Sequence, residues 1–107
     1  EAVTHLDKFS SSDPILSALA LGNIGDAFVA LNQPNDALDY YKKAIDKSDN
    51  ALTAPIYLNK AAQVAQDQKN YKEALTYLER IKSDYPKSEE AASVDVQISQ
   101  VQALMNL

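Results

Sequence analysis

Apolar residues recur along this chain at helical intervals, and short polar stretches break the period at regular distances. Leu16, Leu21, Ile24 and Phe28 fall on the side predicted to be buried in a helix over Ile15 to Leu31, which Asn32, Gln33 and Pro34 then interrupt. A second helix is predicted from Pro34 to about Lys47, with Ala37, Tyr41, Ala44 and Ile45 on its apolar side. Together they make one helical hairpin. After the connector SDNALTAP the pattern returns as Leu58, Ala61, Ala62 and Ala65, then Ala74, Leu78 and Ile81, with Pro86 closing it. In both copies the leading leucine stands 16 residues before the mid-hairpin alanine, Leu21 before Ala37 and Leu58 before Ala74, so the two hairpins share a register.

Capping residues mark the helix starts. Asp13 or Ser12 can cap the first helix, and Pro14 suits its first turn because the missing donor would be unpaired there anyway. Asn70 with Glu73 forms a capping box for the fourth helix. Ser88 caps the last one, where Glu89 and Glu90 favour the positive helix end. That helix carries Ala91, Val94, Ile98, Val101 and Met105 as one apolar stripe, backed by Asp95, Gln97, Ser99, Gln100 and Gln102. Gly25 is the exception to helical preference. A glycine inside a helix costs about 1 kcal/mol relative to alanine, so its presence predicts a close approach, with Ala37 placed against it. Substituting Gly25 by Leu is expected to destabilise the hairpin by overpacking.

The order of large, small and aromatic residues in Leu21, Ile24, Gly25 and Phe28, followed by Ala37, Tyr41 and Ala44, resembles the tetratricopeptide repeat. The opening EAVTHLDKF is similar to the second helix of such a repeat, since Ala2, Leu6, Phe9 and Pro14 reproduce the spacing that follows Ala37. The resemblance implies an all-α domain, a right-handed α-α superhelix of helical hairpins. It divides into the second half of a truncated repeat (1–14), full repeats at 15–50 and 51–86, and a capping helix at 87–107. On this view the chain is a piece of a longer polypeptide. Ala37 to Ala74 is 37 residues against a family period of about 34, so an insertion between Asp49 and Pro55 should lengthen a turn. Ala65 and Leu78 stand where aromatics are expected, which makes the second copy the more degenerate.

Composition narrows the chemistry. With 107 residues and 46% hydrophobic content the chain can bury a core. Its net charge is −5, and no cluster of Lys and Arg could track a phosphate backbone, which argues against nucleic acid as a partner. There is no Cys, hence no disulfide, thiolate zinc site or thiol nucleophile. No apolar run approaches the roughly 20 residues that span a bilayer, so no direct membrane contact is expected from this fragment. His5 is the only histidine and has no orienting partner at catalytic spacing. The carboxylates Asp26, Asp36, Asp39, Asp46 and Asp49 are spread around helices without His or Cys support, so no metal site is expected. Adjacent Glu89 and Glu90 do not converge on one face. Neither a phosphate cradle nor a nucleophile elbow is present. The expectation is a non-catalytic chain without a cofactor.

The aromatic residues fit packing: Tyr41 and Phe28 occupy family aromatic positions, and Tyr40, Tyr57, Tyr71, Tyr77 and Tyr85 suit helix seams. The resemblance implies binding of a protein or peptide, in a scaffold or assembly factor, on a concave face lined by the first helix of each repeat. Helical spacing places Leu19, Gly22, Asn23, Asp26 and Val29 there from the first repeat, and Ile56, Asn59, Lys60, Gln63 and Asp67 from the second. Chaperone-binding members hold a terminal carboxylate with several basic residues and Asn. Asn23, Asn59 and Lys60 alone match that set, so the function is not carried over. The alternative is a structural, self-associating domain, a homo-oligomer formed through Val3, Leu6 and Phe9 at one end and Met105 and Leu107 at the other, or a regulatory domain of a larger protein. The stretches ALALGNIGDAF and RIKSDYPKSEEA also resemble the soluble part of membrane-anchored bacterial envelope proteins, including ancillary subunits of the Sec translocon. That likeness implies the periplasmic side of a membrane, with the cytoplasm as the alternative.

Overall fold

The computed structural model describes residues 13–48 and 50–107. The expectations for the half repeat containing Ala2, Val3, His5, Leu6 and Phe9, the capping role of Ser12, and the position of Asp49 lie outside these residues. Helix α1 spans Pro14–Ala30, with Pro14 in its first turn and Asp13 as its cap. The Asp13 carboxylate accepts from the Ile15 and Leu16 N–H groups at 2.9 and 3.4 Å and so satisfies donors that the helix start leaves open.

The turns explain why α1 ends at Ala30 and why α2, Pro34–Ser48, begins where it does. Asn32 adopts φ 57°, the Gln33 N–H donates to the Phe28 carbonyl at 2.9 Å, and the Asn32 N–H donates to Val29 at 3.0 Å. This is a left-handed helix cap that uses up two orphan carbonyls. The same geometry recurs after α3, Ala54–Asp67, where Lys69 has φ 63° and Asn70 donates to Ala65 at 2.8 Å. Helix α4, Tyr71–Asp84, then starts 37 residues after α2.

The lengthened connector is an ordered turn. The Asn50 side-chain oxygen accepts from the Leu52 and Thr53 N–H groups, both at 2.9 Å, and from the Thr53 hydroxyl at 3.2 Å. A side chain thus closes the loop before Pro55 opens α3. The box at Asn70 closes differently from the sequence expectation. Its amide donates to the Glu73 carboxylate at 2.8 Å and makes no bond to the helix backbone. Ser88 does serve as a cap, accepting from the Ala91 N–H at 3.2 Å while donating to the Tyr85 carbonyl at 2.8 Å. The turn it caps is a 3-10 segment, Glu90–Ser93, and α5 begins only at Val94 and ends at Met105.

Successive helices pack on one another, α1 on α2, α2 on α3, α3 on α4 and α4 on α5. Side-chain bonds between alternate helices define two rows. Lys60 of α3 reaches Asp26 of α1, and Gln97 of α5 reaches Asn59 of α3, so α1, α3 and α5 share a row. Lys42 of α2 pairs with Glu73 of α4 at 3.4 Å in the other. Small residues let the helices approach: Ala18, Ala37, Ala44, Ala61, Ala65 and Ala74 are fully buried among Ile45, Leu58, Leu78 and Ile81. Burial of that apolar area, at about 25 cal/mol per Å², is what holds the stack together.

Two packing expectations need correction. Leu16 is 50% exposed, because it precedes Leu21 by five residues and so sits about 140° away around the helix. Met105 is 45% exposed in the last turn of α5, beside Leu75 and Gln102 on an open surface. The close approach expected at Gly25 is made by the Tyr41 ring, whose nearest atom is 2.6 Å from where a Cβ would lie.

Candidate partner-binding face

The face is built from the row α1, α3 and α5, and its centre is a network around Asp26. The Lys60 ammonium sits 2.9 Å from both Asp26 carboxylate oxygens, and the Tyr41 hydroxyl donates to one of them at 2.6 Å. Three helices therefore meet at one carboxylate. The Asp26 and Lys60 side chains remain 43% and 41% exposed, so the pair lies at the surface while Tyr41 rises from beneath. Tyr41 stacks on Tyr57 with ring centroids 6.1 Å apart. Burial first, and then the hydrogen bond to Asp26, push the Tyr41 phenol well above its usual value near 10. Burial raises Tyr57 too, helped by the nearby Asp26 charge.

Gly22 does not lie on the open surface. It is buried, and the Tyr57 ring occupies the space that a Cβ would take. A glycine is needed here because the Tyr57 ring of α3 comes up against the α1 backbone. Leu19, Asn23 and Gln63 are exposed on the outer part of the row. Ile56 is half-buried against the core. Asn59 accepts from the Gln97 amide at 3.0 Å, which ties α3 to α5. Asp67 ends α3, where it lines a cleft of about 170 Å³ with Val29, Asn32, Pro34, Val64 and Gln68.

Of the sequence-derived positions, the structure brings Asp26 together with Lys60, and Val29 together with Asp67; it leaves Leu19, Asn23 and Gln63 as separate exposed groups. Sequence reasoning missed the bond of Gln97 to Asn59, the seating of Tyr57 over Gly22 and the cleft. A glycine at a position assigned to the open face was the available signal for Tyr57, since only a close neighbour explains its cost in a helix. Among the described residues no group of His, Cys, Asp and Glu could hold a metal ion, and no helix is long and apolar enough to cross a membrane.

Paired antiparallel helices of near-equal length, repeated at a fixed interval in two rows, define an all-α helical-repeat protein. A tetratricopeptide repeat profile matches residues 28–98, and the chain belongs to the tetratricopeptide repeat family, whose members are generally protein–protein interaction modules and typically non-catalytic. No curated protein and no solved structure gives a match.

Proposed function

We propose that the chain is a non-catalytic interaction module that takes a peptide or a partner helix on the face formed by α1, α3 and α5, as part of a scaffold or assembly factor. One observation carries this reading: Leu19, Asn23 and Gln63 stand exposed on helices α1 and α3 around the Asp26–Lys60 bridge that links them. Groups held on such elements can bind without ordering a loop, which lowers the entropic cost of association. Lys60 is already neutralised by Asp26, so the face offers hydrogen-bonding and apolar contacts more than a free cation. The repeat divisions at 15–50 and 51–86 with a cap at 87–107 supply the rows that form it. A photoreactive residue placed at Asn23, and separately at Gln63, tests the proposal against Lys43 on the opposite row. A discrete adduct in native extract from the first two and not the third supports groove binding. Equal capture from all three, or none, overturns it.

A second reading rests on α5 and the residues just after it, where Val96, Met105 and Leu107 are exposed. These residues would support self-association through the terminal helix. The solution mass measured across a concentration series separates the two, since a groove-binding monomer shows no concentration dependence.

A further inference from the structure

We infer that the cleft at the ends of α1 and α3 is a pocket for a single lysine or arginine side chain of the partner polypeptide, an inference that deepens the groove reading above and rests on it. Its walls are Val29, Pro34 and Val64, and its rim carries Asp67, Asn32 and Gln68, around a volume of about 170 Å³. Such a pocket suits a side chain with an aliphatic stem and a charged tip, which can bury the stem while its head meets a carboxylate.

The electrostatics select the sign of that tip. Two helix C-termini and one N-terminus meet here, because Val29 and Asn32 belong to the end of α1, Val64, Asp67 and Gln68 to the end of α3, and Pro34 opens α2. The two C-termini carry partial negative charge and the α2 N-terminus partial positive charge, so the sign of the site is set by the full charge of Asp67. Asp67 adds a full negative charge at the helix end where an acidic residue is least favourable, and it forms no ion pair among the described residues. A carboxylate with no ionic partner at the mouth of a cleft has unmet attraction for a cation. The chain's net charge of −5 attracts basic partners in the same sense. The Gln68 amide is bonded to Asn35 at 3.1 Å, which fixes one side of the rim.

The test uses the full chain and two blocked tripeptides, acetyl-Ala-Lys-Ala-amide and its norleucine counterpart, which keeps the stem and lacks the charge. Amide chemical shifts are followed by NMR at low salt. The lysine peptide is expected to shift Val29, Asn32, Val64 and Gln68 saturably and to bind about five-fold more tightly than the norleucine peptide, in keeping with one exposed ion pair. In Asp67→Asn the two peptides should bind equally. In Val29→Ser both should weaken together. Equal affinity of the two peptides for the unmodified chain, a preference that survives in Asp67→Asn, or shifts scattered over other acidic residues would overturn the assignment. Crosslinking from Asn23 and Gln63 without a lysine preference at the cleft would end this inference and leave the groove reading standing. A lysine preference at the cleft without crosslinking would overturn the groove reading, and with it the assignment of the cleft to a partner polypeptide.

Discussion

The α1–α2 hairpin sets Gly25 against the buried ring of Tyr41, while 37 residues on, the α3–α4 hairpin carries Ala62 and Leu78 at the same positions, also buried. Turn geometry is shared, with left-handed Asn32 in one and Lys69 in the other. What differs is how the space between the helices is divided. The first hairpin takes the smallest residue and an aromatic, and the second a methyl and a branched aliphatic side chain. The consequence is functional as well as volumetric. A leucine ends in the core, whereas Tyr41 reaches through it to Asp26 and joins the packing of the first hairpin to the ion pair at the surface.

The largest effect should come from Gly22→Ala, because the new methyl would fall within the Tyr57 ring, which is itself buried. A loss of about 3 kcal/mol is expected for such overpacking, read as a shift in the urea midpoint, and pairing it with Tyr57→Leu should cost less than the two single changes added. Gly25→Ala follows at about 2 kcal/mol, since the Tyr41 ring can give a little but is held by its hydrogen bond. Converting the first hairpin to the pattern of the second, with Gly25→Ala and Tyr41→Leu together, should recover part of that loss. If the double variant is as unstable as the sum, the two hairpins are not equivalent in their packing.

Tyr41→Phe keeps the ring and removes only the hydroxyl, so it should cost about 1 kcal/mol while Lys60 still satisfies Asp26. The same hydroxyl gives the molecule an alkaline limit. Burial, and then a hydrogen bond to a carboxylate, raise both Tyr41 and Tyr77 in the folded state, while the unfolded phenols ionise near 10. Their contribution to stability is therefore complete below about pH 10 and is lost as the pH rises toward the folded values. Thermal melts between pH 8 and 11.5 should show that decline, and it should be shallower in Tyr41→Phe and Tyr77→Phe; an unchanged slope would contradict it.

The smallest effect belongs to the turns. Lys69→Gly should raise stability by about 0.5–1 kcal/mol by removing a side chain from the left-handed region. Asn32→Gly should gain less, because asparagine tolerates that conformation better than lysine. Equal gains would mean that the two turns differ in strain more than their dihedral angles do.

Periodicity was enough to place the first four helices, since a stripe of apolar residues must be buried to be stable, but it did not show that the turn after Ser88 is a 3-10 segment and that α5 starts only at Val94. The Asn32-Gln33-Pro34 break and the Asp13-Pro14 start were legible for the same local reason. Side-chain partners across the stack were not. Nothing in the spacing of Gly25 says how near Tyr41 comes to it, because Ala37 and Tyr41 share one face of α2 and the distance depends on where α2 lies along α1. Leu16 was misplaced by treating a five-residue step as one face. The chain by itself determined which segments are helical, where they turn and that they repeat, because these follow from short-range preference and amphipathic period. Only the tertiary structure decided that Asp26, Lys60 and Tyr41 meet, that Tyr57 covers Gly22, and that two helix ends close a cleft around Asp67. Each of those contacts joins residues from different helices, and their distances depend on how the helices cross.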